Sequence, residues 1–232
     1  MRLLAVMRSY YNAVRWKNMF LNGAERWVRR AGVVAALVTL ATLLLGLWRG
    51  TRRPVGRSSG REPQVLRRPL FYLVAGAGYF GLCYLLWRPI RLTLSAPIRA
   101  LAPALGTPLY IAGLVLVLSG RLALGQMYNV SSSFGAQLYS GHRLITHGPF
   151  AVVRHPMYLG ILLTGLGGLL LYRNWTFVLV IATFLVLPGR ARQEEKVLAA
   201  EFGEQWEAYR QRVPAWLPRL QRSYIRATRR EL

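Results

Sequence analysis

Uncharged apolar runs bounded by arginine recur along the chain. Ala31 to Trp48, Leu70 to Trp87 and Ala100 to Gly120 carry no charged residue. Each approaches the roughly 20 helical residues that a hydrocarbon core of about 30 Å requires, so each predicts a transmembrane helix. Pro103 and Pro108 in the third run predict a kink, or a leading loop before a straighter stretch from Leu109. A fourth apolar region, Met157 to Pro188, is broken once, at Arg173-Asn174. Its arms, Met157 to Tyr172 and Trp175 to Pro188, reach at most about 24 Å at the helical rise of 1.5 Å per residue. They predict a short hairpin with Arg173-Asn174 at its tip. The pattern as a whole predicts an all-α, polytopic transmembrane protein of about five membrane segments, including this short C-terminal helical hairpin.

The ends read differently. Leu3, Met7, Tyr10 and Val14 recur at helical spacing, with Arg8, Asn12 and Arg15 elsewhere on the wheel. That suits an amphipathic helix lying on a membrane surface. No uninterrupted apolar core of signal-peptide length occurs in residues 1–30, so no cleaved signal is expected. The stretch Arg49 to Arg68, rich in Gly, Pro, Ser and Arg, reads as a solvated linker touching acidic headgroups. The expected organisation is a basic amphipathic segment over 1–30, three transmembrane helices over 31–120, and a region over 121–232 that holds the apolar hairpin and a cytoplasmic C-terminal helix.

Composition narrows the class. Of 232 residues, 53% are hydrophobic and 17% charged, and 31 Lys+Arg against 8 Asp+Glu give a formal net charge of +23. All acidic residues are Glu, and all basic residues except Lys17 and Lys196 are Arg. Disorder requires low hydrophobicity, so a basic chain this apolar belongs at a membrane. With five crossings, the Arg49 to Arg68 loop, the Arg121 to Arg154 loop and the C-terminal segment fall on one side and carry most of the positive charge. That side is expected to face the cytoplasm. A single cysteine, Cys83, excludes an intrachain disulfide framework and a cysteine-based zinc ribbon. The histidine spacing fits no common zinc pattern, so no metal is expected. The arginines are spread over both sides with no binding module, which argues against nucleic acid. The spans lack the internal charges of an ion path.

Chemistry is concentrated on either side of the hairpin. His142, His147 and His155 lie ahead of it, and Glu194, Glu195, Glu201, Glu204 and Glu207 lie behind it. A hairpin returns the chain to the side it left, so both clusters should meet at one membrane face. Pro156 suits a first helical turn, which places Arg154 and His155 at a helix N-terminus, where anions are favoured. Beyond the hairpin, Leu198, Phe202, Trp206 and Tyr209 keep helical spacing. Arg190 and Glu194 are four apart on one helix, a spacing that allows an ion pair. Gly165-Leu166-Gly167-Gly168 lies inside the apolar hairpin and reads as close helix packing, not as a phosphate loop.

The pairing of HGPFAVVRHPMYLG (147–160) with EEKVLAAEFGEQWEAYRQRVPAWLP (194–218) across a short apolar hairpin resembles the isoprenylcysteine carboxyl methyltransferase family and its bacterial relatives. The likeness covers roughly Gly120 to Pro218. The broader superfamily also holds phospholipid N-methyltransferases and, more distantly, sterol reductases. The resemblance implies a membrane enzyme using S-adenosylmethionine on a lipid or isoprenoid-linked acceptor. It implies a cofactor site at His147, Gly148, Arg154, His155, Pro156, Tyr158, Gly160 and Glu195, and catalytic roles for Arg190 and Glu194. Arg190, Trp206 and Tyr209 are implied at the acceptor, with Trp206 standing where many relatives have Tyr. Carboxyl O-methylation is the leading reaction. The alternatives are methylation of a phospholipid amine or a thiol, reduction of an isoprenoid with NADPH, and a membrane scaffold without catalysis. The residues do not specify an oligomeric state.

Overall fold

The computed structural model describes residues 23, 25–46, 49, 69–91, 93, 95–128 and 141–218. The expected amphipathic helix at Leu3 to Val14 and the loop from 50 to 68 lie outside them. The described chain is helical: α1 (Glu25–Gly46), α2 (Pro69–Leu85), α3 (Ala96–Leu124), α4 (Pro156–Tyr172), α5 (Trp175–Thr183), α6 (Leu187–Phe202) and α7 (Glu204–Arg212). α1 begins at Glu25, ahead of the first uncharged run.

Three helical stretches are long and apolar enough to cross a bilayer: Glu25–Gly46, Pro97–Met127 and Trp175–Phe202. α2 and α4 have 17 residues each, so among the described residues three helices are long and apolar enough to cross a membrane on their own. The third apolar run departs from expectation. Pro103 and Pro108 both sit inside one continuous helix of 29 residues, and no loop precedes Leu109. Thr107 donates its hydroxyl back to the Pro103 carbonyl, four residues earlier, at 2.7 Å. Large apolar side chains such as Val34, Val74, Leu105, Ile111 and Val115 are exposed on α1, α2 and α3. Exposed apolar surface on three helices is what lipid, rather than water, would cover.

α3 and α4 form the centre of the fold, and glycine is the reason they approach so closely. Gly106, Gly113 and Gly120 recur every seven residues on α3, and Gly160 and Gly167 do so on α4. A Cβ built on Gly167 would lie 2.3 Å from the Tyr110 backbone nitrogen and 2.7 Å from the Gly106 carbonyl oxygen. On Gly113 it would lie 2.4 Å from the Thr164 nitrogen. Both conflicts are with backbone, which cannot swing aside. Gly167→Val is therefore expected to overpack this contact and destabilise the protein by about 3 kcal/mol or more, the upper end for inserted core volume. A thermal melt in detergent measures it, and an unchanged melting temperature would show that the two helices do not meet here.

α4 ends when Arg173 adopts a left-handed backbone conformation (φ 54°) and its N–H donates to the Leu169 carbonyl. The Asn174 side chain then accepts from the Phe177 N–H, capping α5. α5 runs back along α4, with Phe177 packed on Gly168 and Ile181 on Gly165. Close packing is thus the use of the Gly165 to Gly168 run. The turn at Arg173-Asn174 is tied to the chain after α2 by the Ile90 N–H to Arg173 carbonyl bond at 2.8 Å, and to α1 by the Arg173–Glu25 ion pair at 3.0 Å. Between Phe184 and Leu187 the hydrogen bonds tighten to the i→i−3 pattern, and the path continues into charged α6.

Candidate active site

The irregular lead into α4, the start of α6 and the segment after α7 converge at the end of the bundle opposite the Arg173 turn. Arg154 is the centre of that convergence. Its Nε and Nη2 lie 3.0 and 2.9 Å from Glu195 Oε1, and its Nη1 donates to the carbonyls of Arg210 and Val213, both at 3.0 Å. One guanidinium therefore joins α4, α6 and the end of α7. The backbone reinforces the join, as the Arg154 and His155 N–H groups donate to the Pro214 and Ala215 carbonyls at 2.9 and 3.1 Å. The helical face expected beyond the hairpin forms a small core: Trp206, Tyr209 and Val213 are buried, with Leu144, Leu198 and Phe202 packed against them.

His155 is buried between the two glutamates. Its Nε2 lies 2.9 Å from Glu195 Oε1, and its Nδ1 lies 3.9 Å from Glu194 Oε2. A carboxylate only accepts, so the proton belongs on Nε2. The Tyr158 hydroxyl donates to Glu194 Oε1. The His155 and Tyr158 rings stack 5.5 Å apart, and Trp216 lies against both, 5.2 Å from His155. Burial pushes the Tyr209 hydroxyl up to about 12, so it stays protonated and donates to the Phe150 carbonyl at 2.7 Å.

These groups wall a cavity of about 330 Å³, within the size range of small-molecule sites. Arg154, His155, Pro156, Tyr158, Arg190, Glu194, Trp206 and Tyr209 all line it. The two clusters flanking the hairpin thus meet in one pocket. Four other expected site residues lie elsewhere. His147 is exposed and precedes the short 3-10 turn Gly148–Ala151, in which Gly148 takes a positive φ of 61°. Gly160 faces α3, where a Cβ would lie 2.7 Å from the Gly113 carbonyl oxygen. Glu195 stands behind the wall, holding Arg154 and His155.

The cavity also has walls outside the expected site residues: Met127 and Tyr128 after α3, Leu43 from α1, and His142 with Leu144 from the lead into α4. Burial lowers the His142 pKa, opposed by nearby Glu201, and its Nδ1 is buried with no hydrogen-bond partner among the described residues. His142 belongs to the histidine cluster and was visible as such. Trp216, which braces His155, carried no signal beyond its place at the end of the second motif. Among the described residues no group of three or more His, Cys, Asp or Glu side chains is placed to hold a metal ion.

Comparison with known proteins bears out the resemblance read from the two motifs. Residues 101–205 match the family model for phospholipid methyltransferases. The protein-S-isoprenylcysteine O-methyltransferase of Schizosaccharomyces pombe is 34% identical over 111 residues, covering 43% of this chain and 47% of that protein. The human protein of the same name is 31% identical over 121 residues, 48% of this chain and 42% of that protein. The cobalt-zinc-cadmium resistance protein CzcN of Cupriavidus metallidurans is 43% identical over 81 residues, 33% of this chain and 36% of that protein. The chain spans less than half the length of these relatives.

Proposed function

We propose that this chain is an integral membrane methyltransferase that uses S-adenosylmethionine to methylate the carboxylate of a lipid or isoprenoid-linked acceptor. The observation that carries the reading is the single cavity shared by Tyr158, Arg190, Glu194 and Trp206. The donor set suits a sulfonium cofactor: aromatic faces and a carboxylate attract a cation, while a guanidinium offers a partner for a carboxylate. When bound, S-adenosylmethionine would supply a methyl group activated by a positively charged sulfur, and its transfer to a carboxylate would leave a neutral sulfide and a neutral ester.

Arg190 orients the acceptor carboxylate through its planar fork, a task that a lysine ammonium performs poorly. Glu194, steadied by the Tyr158 hydroxyl, would hold the positive end of the cofactor. Tyr158, His155 and Trp206 form the aromatic side of the cofactor pocket, and Trp206 with Tyr209 presents apolar surface to the acceptor. Arg154 and Glu195 keep these walls in register. The apolar lining excludes water, which strengthens each of these electrostatic contacts. The principal contribution is alignment of the acceptor oxygen with the departing sulfur.

α1 to α5 alternate in direction between the turn end and the cavity end, which supports five passes through the bilayer, α2 and α4 being short ones. The sequence tally, which puts most of the Lys and Arg on the side of the segments flanking the hairpin, supports a cytoplasmic orientation for the site, with the acceptor arriving sideways from lipid.

The test is transfer of a labelled methyl group from S-adenosylmethionine to lipid-phase acceptors across a pH series. A carboxylate is ionised well below neutrality, so the rate is expected to be flat from pH 6 to 9. An amine acceptor must lose its proton first, and a rate rising with pH over that range would replace the carboxylate with a phospholipid amine.

A further inference from the structure

The chain beyond α7 returns to the start of α4. Val213 precedes Pro214, which disfavours a helical backbone, and it is extended at φ −110° and ψ 123°. The Pro214 and Ala215 carbonyls accept from the Arg154 and His155 N–H groups, so Trp216 is set down beside the first turn of α4. Its ring centre lies 5.2 Å from that of His155 and 6.3 Å from that of Tyr158. It also lies 5.5 Å from Phe184, which it meets edge to face at 70°. His155 and Tyr158, neighbours on one helical face, are themselves stacked within 6° of parallel. Tyr158 and Glu194 line the cavity, whereas Trp216 is not among the described residues of its wall. Any effect of Trp216 on the site therefore passes through its neighbours.

Those neighbours lead to one carboxylate from two sides. The Tyr158 hydroxyl donates to Glu194 Oε1. A hydroxyl at the end of a rigid ring goes where the ring goes, so whatever holds the ring sets the bond. Phe184 lies in the bend ahead of α6, where its carbonyl accepts the Leu187 N–H at 3.2 Å. Glu194 stands on α6, about two turns beyond Leu187. Ring pairs prefer offset-stacked and edge-to-face arrangements, so these contacts carry geometry as well as burial. One indole thus ties the ring that carries the donor to the root of the helix that carries the acceptor.

We propose that Trp216 is a positioning residue for the cofactor pocket: it joins the His155–Tyr158 stack to Phe184 and thereby sets the Tyr158 hydroxyl on Glu194. The inference rests on the methyltransferase reading and extends it to a residue behind the wall. Trp216 itself touches neither reactant. It fixes the carboxylate that would hold the positive end of S-adenosylmethionine, where small displacements are costly. A ring that only fills space contributes the same whether or not Tyr158 has its hydroxyl. A ring that places the hydroxyl has nothing left to place once the hydroxyl is removed.

A double-mutant cycle in the dissociation constant of radiolabelled S-adenosylmethionine tests this, using the full chain in detergent, with melting curves to show that each variant is folded at the assay temperature. Tyr158→Phe keeps the ring, loses the hydrogen bond to a charged acceptor, and is expected to weaken binding about tenfold. Trp216→Leu removes the ring contacts and is expected to weaken it about tenfold as well. The double variant is expected within about threefold of Tyr158→Phe alone, whereas independent sites would multiply to about a hundredfold. Trp216→Phe keeps a ring against the stack and is the gentler arm. It is expected to weaken binding about threefold, and to add nothing to Tyr158→Phe. Multiplying losses in either arm, or unchanged affinity in Trp216→Leu, would overturn the role of Trp216 and leave the methyltransferase reading standing. An unmodified chain that binds no S-adenosylmethionine would remove both.

Discussion

Arg190→Ala is expected to lower turnover at least a hundredfold while the protein stays folded in detergent and keeps its affinity for the cofactor within a few-fold. The magnitude is that of removing a preorganised group aimed at the reacting atoms, about 10² to 10³ in rate. Arg190 lies on the first turn of α6, where Pro188 fits the N-terminus of a helix and the chain changes from apolar to charged. Its guanidinium lines the cavity alongside Glu194 one turn later. Arg190→Lys is expected to recover little, because a point charge does not reproduce a bidentate fork. Glu194→Ala is expected to produce a similar loss, since it removes the carboxylate and leaves the Tyr158 hydroxyl without its acceptor. Unchanged turnover in both alanine variants would remove the catalytic assignment.

Arg154→Ala is expected to act through the fold. The side chain is only 11% exposed, pairs with Glu195, and donates to the Arg210 and Val213 carbonyls. Removing it strands a half-buried carboxylate and two carbonyls at once. Breaking a buried pair by deleting one partner costs about 3 to 5 kcal/mol. A lower melting temperature together with a weaker cofactor dissociation constant is therefore expected. A weaker dissociation constant without any change in melting would make Arg154 a direct cofactor ligand. The structure favours the stabilising role, because four of its donor contacts go to the protein itself.

The convergence of the two motifs was legible in the sequence because it follows from topology. A pair of apolar arms broken by Arg173-Asn174 returns the chain to its starting side, and Arg154 and His155 then meet Glu195. The helix starts were legible for local reasons, such as Pro156 at the first turn of α4 and Asn174 as the cap of α5. Residues whose role depends on tertiary distance were not. Gly160 stands inside a motif, yet its missing side chain serves the crossing with α3, and the partner glycines at 106, 113 and 120 are far away in sequence. His147 shares the histidine cluster but points to solvent, while His142 from the same cluster faces the pocket. The prolines of α3 misled because Pro103 and Pro108 signal a break, whereas packing along α4 holds the helix together through both. The fold thus overruled a local rule where tertiary contact was densest, along the line of glycines.

The measurement that bears most directly on the account is saturation binding of radiolabelled S-adenosylmethionine to the purified chain, run in parallel with NADPH. The account predicts saturable binding of S-adenosylmethionine at one site per chain, displaced by S-adenosylhomocysteine and unaffected by NADPH. Saturable NADPH binding with no binding of S-adenosylmethionine would contradict it and make the cavity that of a reductase.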